Sequence, residues 1–260
     1  MSAAAATLRT PLSARSADRR PSMSRLVGVE LRKMVDTRAG LWLQAATVVL
    51  TVVIVVLFGF LGKDDEHTIR QMLEVATAPA SILLPIIGIL LVSSEWSQRT
   101  SLITFALVPE RGRVLLAKLV ASLVPAVVAL LVGLLVAFVG TALTDPGLDD
   151  TWSLSFAMFG QFAFSLATGM LMGVAFGAAF LSSAPAIVLS FVLPIGWAAL
   201  GSLSVFEQPA KWLDQSHTLA PLTDHLFSAS EWAHAGTTLL LWLGLPLLIG
   251  IWRIRRAEVR

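Results

Sequence analysis

Residues 151–206 read TWSLSFAMFGQFAFSLATGMLMGVAFGAAFLSSAPAIVLSFVLPIGWAALGSLSVF, a run of 56 residues without one Asp, Glu, Lys or Arg. A helix needs about 20 apolar residues to cross the roughly 30 Å hydrocarbon core of a bilayer, so this run predicts two crossings. The turn between them is predicted at residues 182–185, SSAP, because proline lacks a backbone donor and small polar residues tolerate a turn.

Four further ion-free runs each predict one more crossing, although the chain carries 36 Asp, Glu, Lys and Arg residues. We therefore predict an all-α integral membrane protein with six transmembrane helices. With a mean hydropathy of +0.78 and short loops, no separate soluble catalytic domain is expected. The predicted spans are residues 40–61, 75–94, 119–143, 153–181, the stretch from the turn to 205, and 236–252.

The basic residues predict the orientation in the membrane. If the N-terminus is cytoplasmic, 16 of the 19 Lys and Arg residues fall in segments that face the cytoplasm. Such an asymmetry in short loops predicts a multi-pass protein of the cytoplasmic (inner) membrane with both termini in the cytoplasm. The pI of about 9.5 is then a consequence of topology, and we expect the lipid bilayer but no nucleic acid as a partner.

The predicted spans leave three segments of distinct character. Residues 1–23 have no apolar core and are predicted to be a disordered cytoplasmic leader, with one transmembrane domain in residues 24–260. Residues 24–38 alternate apolar and charged positions at helical spacing, which favours either an interfacial helix or a simple extension of the first span. Residues 207–232 are too apolar for a free loop and predict short helices at the outer interface.

The loop after the second span, residues 95–118, reads EWSQRTSLITFALVPERGRVLLAK. Its apolar residues 102, 103 and 105–108 lie on the cytoplasmic side of the predicted topology, and residues 109–112 predict a turn. Apolar groups that face the cytosol are unfavourable unless something covers them. Either the membrane interface or a partner protein could do so, and the residues alone leave both interpretations open.

The spacing of Glu95, Thr100, Pro109 and Lys118 resembles that of ABC export permeases, the membrane subunits of type-2 ABC transporters. In that family a Glu closes the second span, and a Pro-x-Arg turn precedes a Lys that enters the third. Residues 24–38 resemble the family's connecting helix, and residues 207–232 resemble its outer helices. Arg99 departs from the pattern because many members have glycine there, so the bend before the coupling segment is expected to differ.

The resemblance implies a permease that pairs with a second copy or a homologous permease and docks on separate ATP-binding cassette ATPase subunits. ATP and Mg²⁺ would bind to those subunits, so no cofactor of its own and no enzymatic activity are expected of this chain. The uncharged spans favour export of a hydrophobic or amphiphilic cargo. The expected ATPase-coupling residues are Glu95, Arg99, Thr100, Leu102, Phe105, Leu107, Pro109, Arg111 and Arg113.

Motifs for other chemistry are missing from the sequence. It has no Gly-x4-Gly-Lys-Ser/Thr loop for phosphates and no HExxH pair for zinc, so no catalytic or metal-binding residue is predicted. Asp224 and His225 with Ser228 or Ser230 are the nearest approach to a hydrolase pattern. The alternatives to a permease are an intramembrane lipid-modifying enzyme and a non-transporting sensor or immunity membrane protein.

Two further sets of residues fall inside predicted spans. Ser165, Gly169, Gly173 and Gly177 recur every four residues, which favours close helix packing and leaves a sliding or pore-lining surface as the alternative. Gln44, Thr47 and Thr51 bring polar groups into the first span and are candidates for a translocation path, together with the apolar faces of the second and fifth spans.

Overall fold

A computed structural model of the chain describes residues 21–62, 67–98, 100–108, 110–144, 147, 149–203 and 205–256, with residues 101, 103, 105 and 207 described by their backbone only. The described residues are helical with no strand, and six helices are long and apolar enough to cross a membrane. The predicted fold class is confirmed. The predicted leader, residues 1–23, lies outside the described residues except for residues 21–23.

The first two helices are α1 (Met23–Asp36) and α2 (Arg38–Leu61), separated by Thr37 alone. The Thr37 side chain accepts a hydrogen bond from the Gly40 backbone N–H at 3.2 Å and so caps α2. A Cβ atom at Gly40 would overlap the carbonyl oxygen of Met34, so only glycine permits so close a junction. The amphipathic segment predicted at residues 24–38 is therefore a helix of its own.

The next three helices are α3 (Ile69–Ser97), α4 (Ser101–Leu107) and α5 (Arg111–Thr144). Both α3 and α5 exceed the predicted spans. The helix α3 carries Glu74 and Glu95 near its two ends, outside the ion-free run. Pro79 and Pro85 lie inside α3 and Pro125 lies inside α5 without ending either helix. The turn predicted at residues 109–112 is short, because α5 already begins at Arg111.

The long ion-free run forms α6 (Phe156–Phe180) and α7 (Ser183–Gly201), which confirms its predicted division. Leu181 ends α6 in the left-handed conformation, with φ 53°, and its N–H donates to the carbonyl oxygen of Gly177 at 2.9 Å. Ser182 is extended and α7 starts immediately after it.

The segment after α7 contains the predicted short helices α8 (Glu207–Leu213) and α9 (Gln215–Thr218), followed by a 3₁₀ turn over Ala220–Thr223. The last crossing runs without a break through α10 (Ala229–Leu239), a π-helical turn (Leu240–Gly244) and α11 (Leu245–Arg256). It starts earlier than the predicted residue 236, because Ser228 and Glu231 form a capping box at its N-terminus. The wider turn ends two residues before Pro246, which has no N–H to donate.

The helices α3 and α6 form the central pair of the bundle. The helix α5 packs against both, α2 against α3 and α5, α7 against α6 and α3, and α11 against α6. Because successive spans alternate in direction, α1, α4 and the arginines Arg253, Arg255 and Arg256 share one end, which we name the basic end. The helices α8 and α9 lie at the other end, which we name the distal end.

Candidate functional site

Three buried charged side chains meet at the basic end. The Nζ atom of Lys118, on α5, lies 2.6 Å from Oε2 of Glu30 and 2.9 Å from Oε1 of Glu95. It also donates to the carbonyl oxygen of Leu91 at 3.1 Å. The exposed fractions are 3% for Lys118, 4% for Glu30 and 7% for Glu95. These contacts join α1, α3 and α5 through charges that are almost wholly removed from solvent.

Lys33 completes this group, which we name the ion cluster: Glu30, Lys33, Glu95 and Lys118. Its Nζ atom lies 2.8 Å from Oε1 of Glu30 and 2.5 Å from Oε1 of Glu95. Burial acts to lower the pKa of Lys33, but the hydrogen bonds and the charges of the two glutamates outweigh burial and raise the pKa. Two cations therefore balance two carboxylates, which is what keeps the buried charges tolerable.

The expected coupling segment follows directly on Glu95. The backbone N–H of Thr100 donates to the carbonyl oxygen of Glu95 at 2.9 Å, so α4 begins one turn from the ion cluster. Leu102 and Leu107 on α4 are 46% and 74% exposed. Arg99, Pro109 and the side chain of Phe105 lie outside the described part of the chain.

Three arginines at the basic end donate to backbone carbonyls. Arg111 Nη1 donates to Ile254 O at 2.6 Å, and Arg113 Nη2 donates to Pro21 O at 2.8 Å. Arg253 Nη1 donates to Ala179 O at 2.5 Å. Ile254 and Ala179 lie in the last turns of α11 and α6, where the helix dipole favours a cation. Arg111 and Arg113 thus connect the start of α5 to other parts of the same chain.

The glycine stripe of α6 lies against α3. A Cβ atom at Gly173 would overlap the backbone of Pro85, and one at Gly177 would come within 2.8 Å of Ile89 O. From α3, a Cβ atom at Gly88 would come within 2.6 Å of Met170 O. Gly169 differs, because its Cβ would have an ordinary contact of 3.7 Å with Pro85 Cγ. The two helix backbones therefore touch at three glycines, of which Gly88 did not form part of the predicted stripe.

The polar residues of the first span lie between α2, α3 and α5. Thr51 Oγ1 donates across to Ala76 O at 3.0 Å, and Thr47 Oγ1 donates to Leu43 O on its own helix at 2.8 Å. Gln44, Thr47 and Thr51 line a cavity of about 250 Å³ between the three helices. Whether they line a translocation path stays a prediction.

At the distal end, one buried amide holds the segment between the 3₁₀ turn and α10. The Nε2 atom of Gln161, on α6, donates to Leu222 O and to His225 O, both at 2.8 Å. Its Oε1 accepts from Phe227 N at 2.9 Å. Arg70, on α3, adds hydrogen bonds to Thr223 O and Asp224 O, at 3.2 and 3.0 Å. This segment is thus tied to both central helices.

We expect Gln161→Leu to loosen residues 222–227 while the membrane helices stay assembled. The leucine removes all three hydrogen bonds and leaves one buried and two partly buried backbone groups without these partners, at up to about 1–3 kcal/mol for each unsatisfied group. Hydrogen–deuterium exchange should rise in residues 222–227 and stay unchanged in α5. Gln71→Leu is the control, because the Gln71 side chain accepts a hydrogen bond from Thr68 in the neighbouring turn of its own helix. Equal exchange in native protein and Gln161→Leu would contradict the expectation.

The histidine and serine residues near the distal end have structural contacts. His225 Nε2 lies 2.6 Å from Glu231 Oε1, and Ser228 N donates to Glu231 Oε2 at 2.7 Å as part of the capping box. His67 is buried, with Nε2 3.3 Å from Phe58 O. Among the described residues, no group of three or more His, Cys, Asp or Glu side chains is arranged to hold a metal ion.

Sequence reasoning missed two of these roles. Glu30 is one of the charged positions of residues 24–38, which predicts an exposed side chain, but it is buried like Met34, since its partner Lys118 comes from a distant helix. Gln161 was not predicted to have a role. It is the only amide side chain in the run 151–206, and a lone amide among apolar residues indicates a hydrogen-bonding role. No protein-family model matches the sequence, and no curated protein matches it either.

Proposed function

We propose that this chain is the membrane-spanning permease subunit of an ATP-binding cassette exporter in the cytoplasmic membrane. In this proposal the basic end faces the cytoplasm, and a separate subunit binds ATP and Mg²⁺ and hydrolyses the nucleotide. The chain itself performs no chemistry. It pairs with a second permease and moves a hydrophobic or amphiphilic cargo outward.

The observation that carries the proposal is the junction between α4 and the ion cluster. The helix α4 presents Leu102 and Leu107 outside the bundle, and the next turn of chain leads to Glu95. Exposed leucines at the basic end, beside many Lys and Arg residues, suit a partner protein that covers them. The order of the elements also supports it: α1 precedes the six crossings, α4 lies between the second and third, and α8 and α9 precede the last.

The contacts suggest how movement of a partner would reach the membrane helices. A push on α4 acts on the end of α3, because Thr100 N is bonded to Glu95 O. The Glu95 carboxylate in turn contacts Lys33 and Lys118, so α1 and α5 would move with α3. The helices α2 and α7 have the least surface covered within the chain, which supports a second permease copy as well as lipid around them.

We expect Leu107→Asp to abolish association with the ATPase while the chain still inserts in the membrane. The substitution places a carboxylate in the centre of an apolar contact, where desolvation of the charge is unfavourable. The measurement is co-purification of the tagged chain with ATP-binding cassette subunits co-expressed from the same genome, together with the ATPase activity of any complex. Leu102→Asp should have the same effect.

Val35→Asp is the matched control, because Val35 is 55% exposed on α1 at the same end but lies outside α4. It should leave association intact. Unchanged co-purification of Leu107→Asp would contradict the proposed coupling role of α4. Uphill transport by the purified chain alone, without a nucleotide-hydrolysing subunit, would overturn the proposed function.

A further inference from the structure

Two adjoining cavities open between the central helices at the distal end. The first has a volume of about 380 Å³ and lies between α3, α6 and α7, beneath residues 214–222. The second, of about 370 Å³, lies between α3, α6 and residues 219–224. Both are lined by Ser81, Ser165, Leu166, Leu219 and Ala220, so they adjoin, and we name the two together the distal groove.

The walls of the distal groove are largely apolar in its first cavity. Leu84 and Pro85 come from α3, Met172 from α6, and Pro194 and Ile195 from α7. Clefts of about 300–1,000 Å³ with apolar walls and a few polar groups are typical of small-molecule sites. The second cavity is more polar, because threonine and serine side chains share its lining with two carboxylates. The distal groove thus has an apolar part and a polar part, as an amphiphile requires.

The charged residues that line the distal groove are all acidic. They are Asp214 in the first cavity and Glu74 and Asp224 in the second, and the described lining contains no Lys or Arg. Arg70, beside the groove, lies 3.6 Å from Glu74 and offsets one of the three charges. The groove therefore keeps a net negative charge and favours a cationic ligand.

Asp214 is the best-placed acceptor for such a ligand. It is only 2% exposed, and its Oδ1 atom accepts from Ser216 N at 2.9 Å and from Ser216 Oγ at 2.5 Å. Its Oδ2 atom lies 4.0 Å from Nε2 of His217, which is beyond hydrogen-bond distance. The nearest basic group to Asp214 among the described residues is therefore a histidine, which is charged only when protonated, and a ligand that supplies a permanent cation would stabilise the buried carboxylate.

Gln215 provides a second and independent sign of a ligand. Gln215 lines the first cavity next to Asp214, and its Nε2 atom is buried without a hydrogen-bond partner among the described residues. Most buried side-chain donors have a partner, so an orphaned donor on a residue that lines a cavity points to an acceptor supplied from outside the chain. An amphiphile with a polar group beside its cationic end would satisfy Gln215 and Asp214 together.

We propose that the distal groove binds a monocationic amphiphile, with its ammonium group at Asp214 and its apolar body between α3, α6 and α7. Binding of this ligand requires no ATPase. That the ligand is the exported cargo, or resembles it, rests on the proposed function.

The test compares two probes that differ only in their charged end, 11-(dansylamino)undecylamine and 11-(dansylamino)undecanoic acid. The full chain is placed in phosphatidylcholine nanodiscs, and dansyl fluorescence is titrated after subtraction of empty nanodiscs. We expect the amine to bind at least about tenfold more tightly than the acid. Asp214→Asn keeps an acceptor for Ser216 N but removes the charge, and it should reduce this preference by about tenfold.

Three variants test whether the probes bind in the distal groove rather than elsewhere on the surface. Asp149→Asn removes one exposed carboxylate outside the groove and should leave both affinities unchanged. Ser165→Phe fills the junction of the two cavities and should weaken both probes. Gel filtration and tryptophan fluorescence show whether Asp214→Asn folds. If it does not, Glu74→Gln, which removes a second lining charge, provides the charge test.

Equal affinities of the native chain for amine and acid, or no binding of either, would overturn the inference. So would a preference for the amine that survives both Asp214→Asn and Glu74→Gln, or binding that Ser165→Phe leaves unchanged. These outcomes are independent of the ATPase experiment. Intact ATPase coupling with equal probe affinities removes only the ligand site. Selective binding of the amine by a chain that associates with no ATPase in the co-purification experiment removes only the transport function.

Discussion

Lys118→Met should destabilise the folded chain by about 3–5 kcal/mol, the cost of removing one partner from a buried ion pair. The methionine occupies a similar volume but leaves the carboxylates of Glu30 and Glu95 with Lys33 alone, whose side chain is 36% exposed. The measurement is unfolding in mixed SDS–detergent micelles, followed by tryptophan fluorescence. The midpoint should shift to a lower fraction of SDS.

Two further variants separate charge from packing at the ion cluster. Lys33→Met should have a smaller effect, because Lys118 still contacts both glutamates. The triple variant Glu30→Gln, Glu95→Gln, Lys118→Met should recover most of the lost stability, since it leaves no buried carboxylate unpaired and Lys33 reaches solvent. If Lys118→Met unfolds like the native protein, the ion cluster is not what joins α1 to α3 and α5.

Gly173→Leu should separate the central helices and destabilise the chain by about 3 kcal/mol or more. Extra methylene groups in a close-packed interior usually cost about 1–3 kcal/mol, and here the first added carbon would meet the backbone of Pro85, which cannot rotate away. The same SDS titration measures the loss. Proteolysis at residues 98–110 should also accelerate, because α3 leads directly into this loop.

Gly160→Leu is the control for this prediction on the same helix. Gly160 is exposed, and a Cβ atom there has nothing within 4 Å, so leucine should be tolerated. Gly169→Ala should also be mild, since its Cβ has an ordinary contact with Pro85 Cγ. A native unfolding midpoint for Gly173→Leu would mean that α3 and α6 are not in backbone contact at this position.

The predicted spans and the helices agree best in their apolar centres and least at their ends. The run 75–94 was recognised, but α3 continues to Ile69 and Ser97, because a helix does not stop where the bilayer core stops. The last crossing was expected from residue 236 and begins at Ala229, where the Ser228–Glu231 capping box supplies the N-terminus. Hydropathy measures the preference of side chains for lipid over water, whereas capping residues determine where a helix begins and ends.

The segment between the second and third crossings, which we propose as the coupling segment, shows the same difference between sequence and tertiary structure. A helix between the second and third crossings was expected, and α4 lies there with Leu102 and Leu107 exposed. Glu95 was expected in the same segment, but its carboxylate is buried against Lys118 and Lys33. No pattern in the sequence distinguishes a glutamate that faces solvent from one that meets a lysine 23 residues away.

The sequence by itself determined that this chain is an all-α protein with six membrane-length apolar helices, because transfer from water to lipid depends on composition and length alone. Only the tertiary structure decided which of these helices touch and where charges meet. Gly88 and Gly173 bring α3 and α6 into backbone contact, and Glu30, Glu95 and Lys118 converge from three helices. Such convergence depends on distances between segments far apart in the chain, and hydropathy carries no information about those distances.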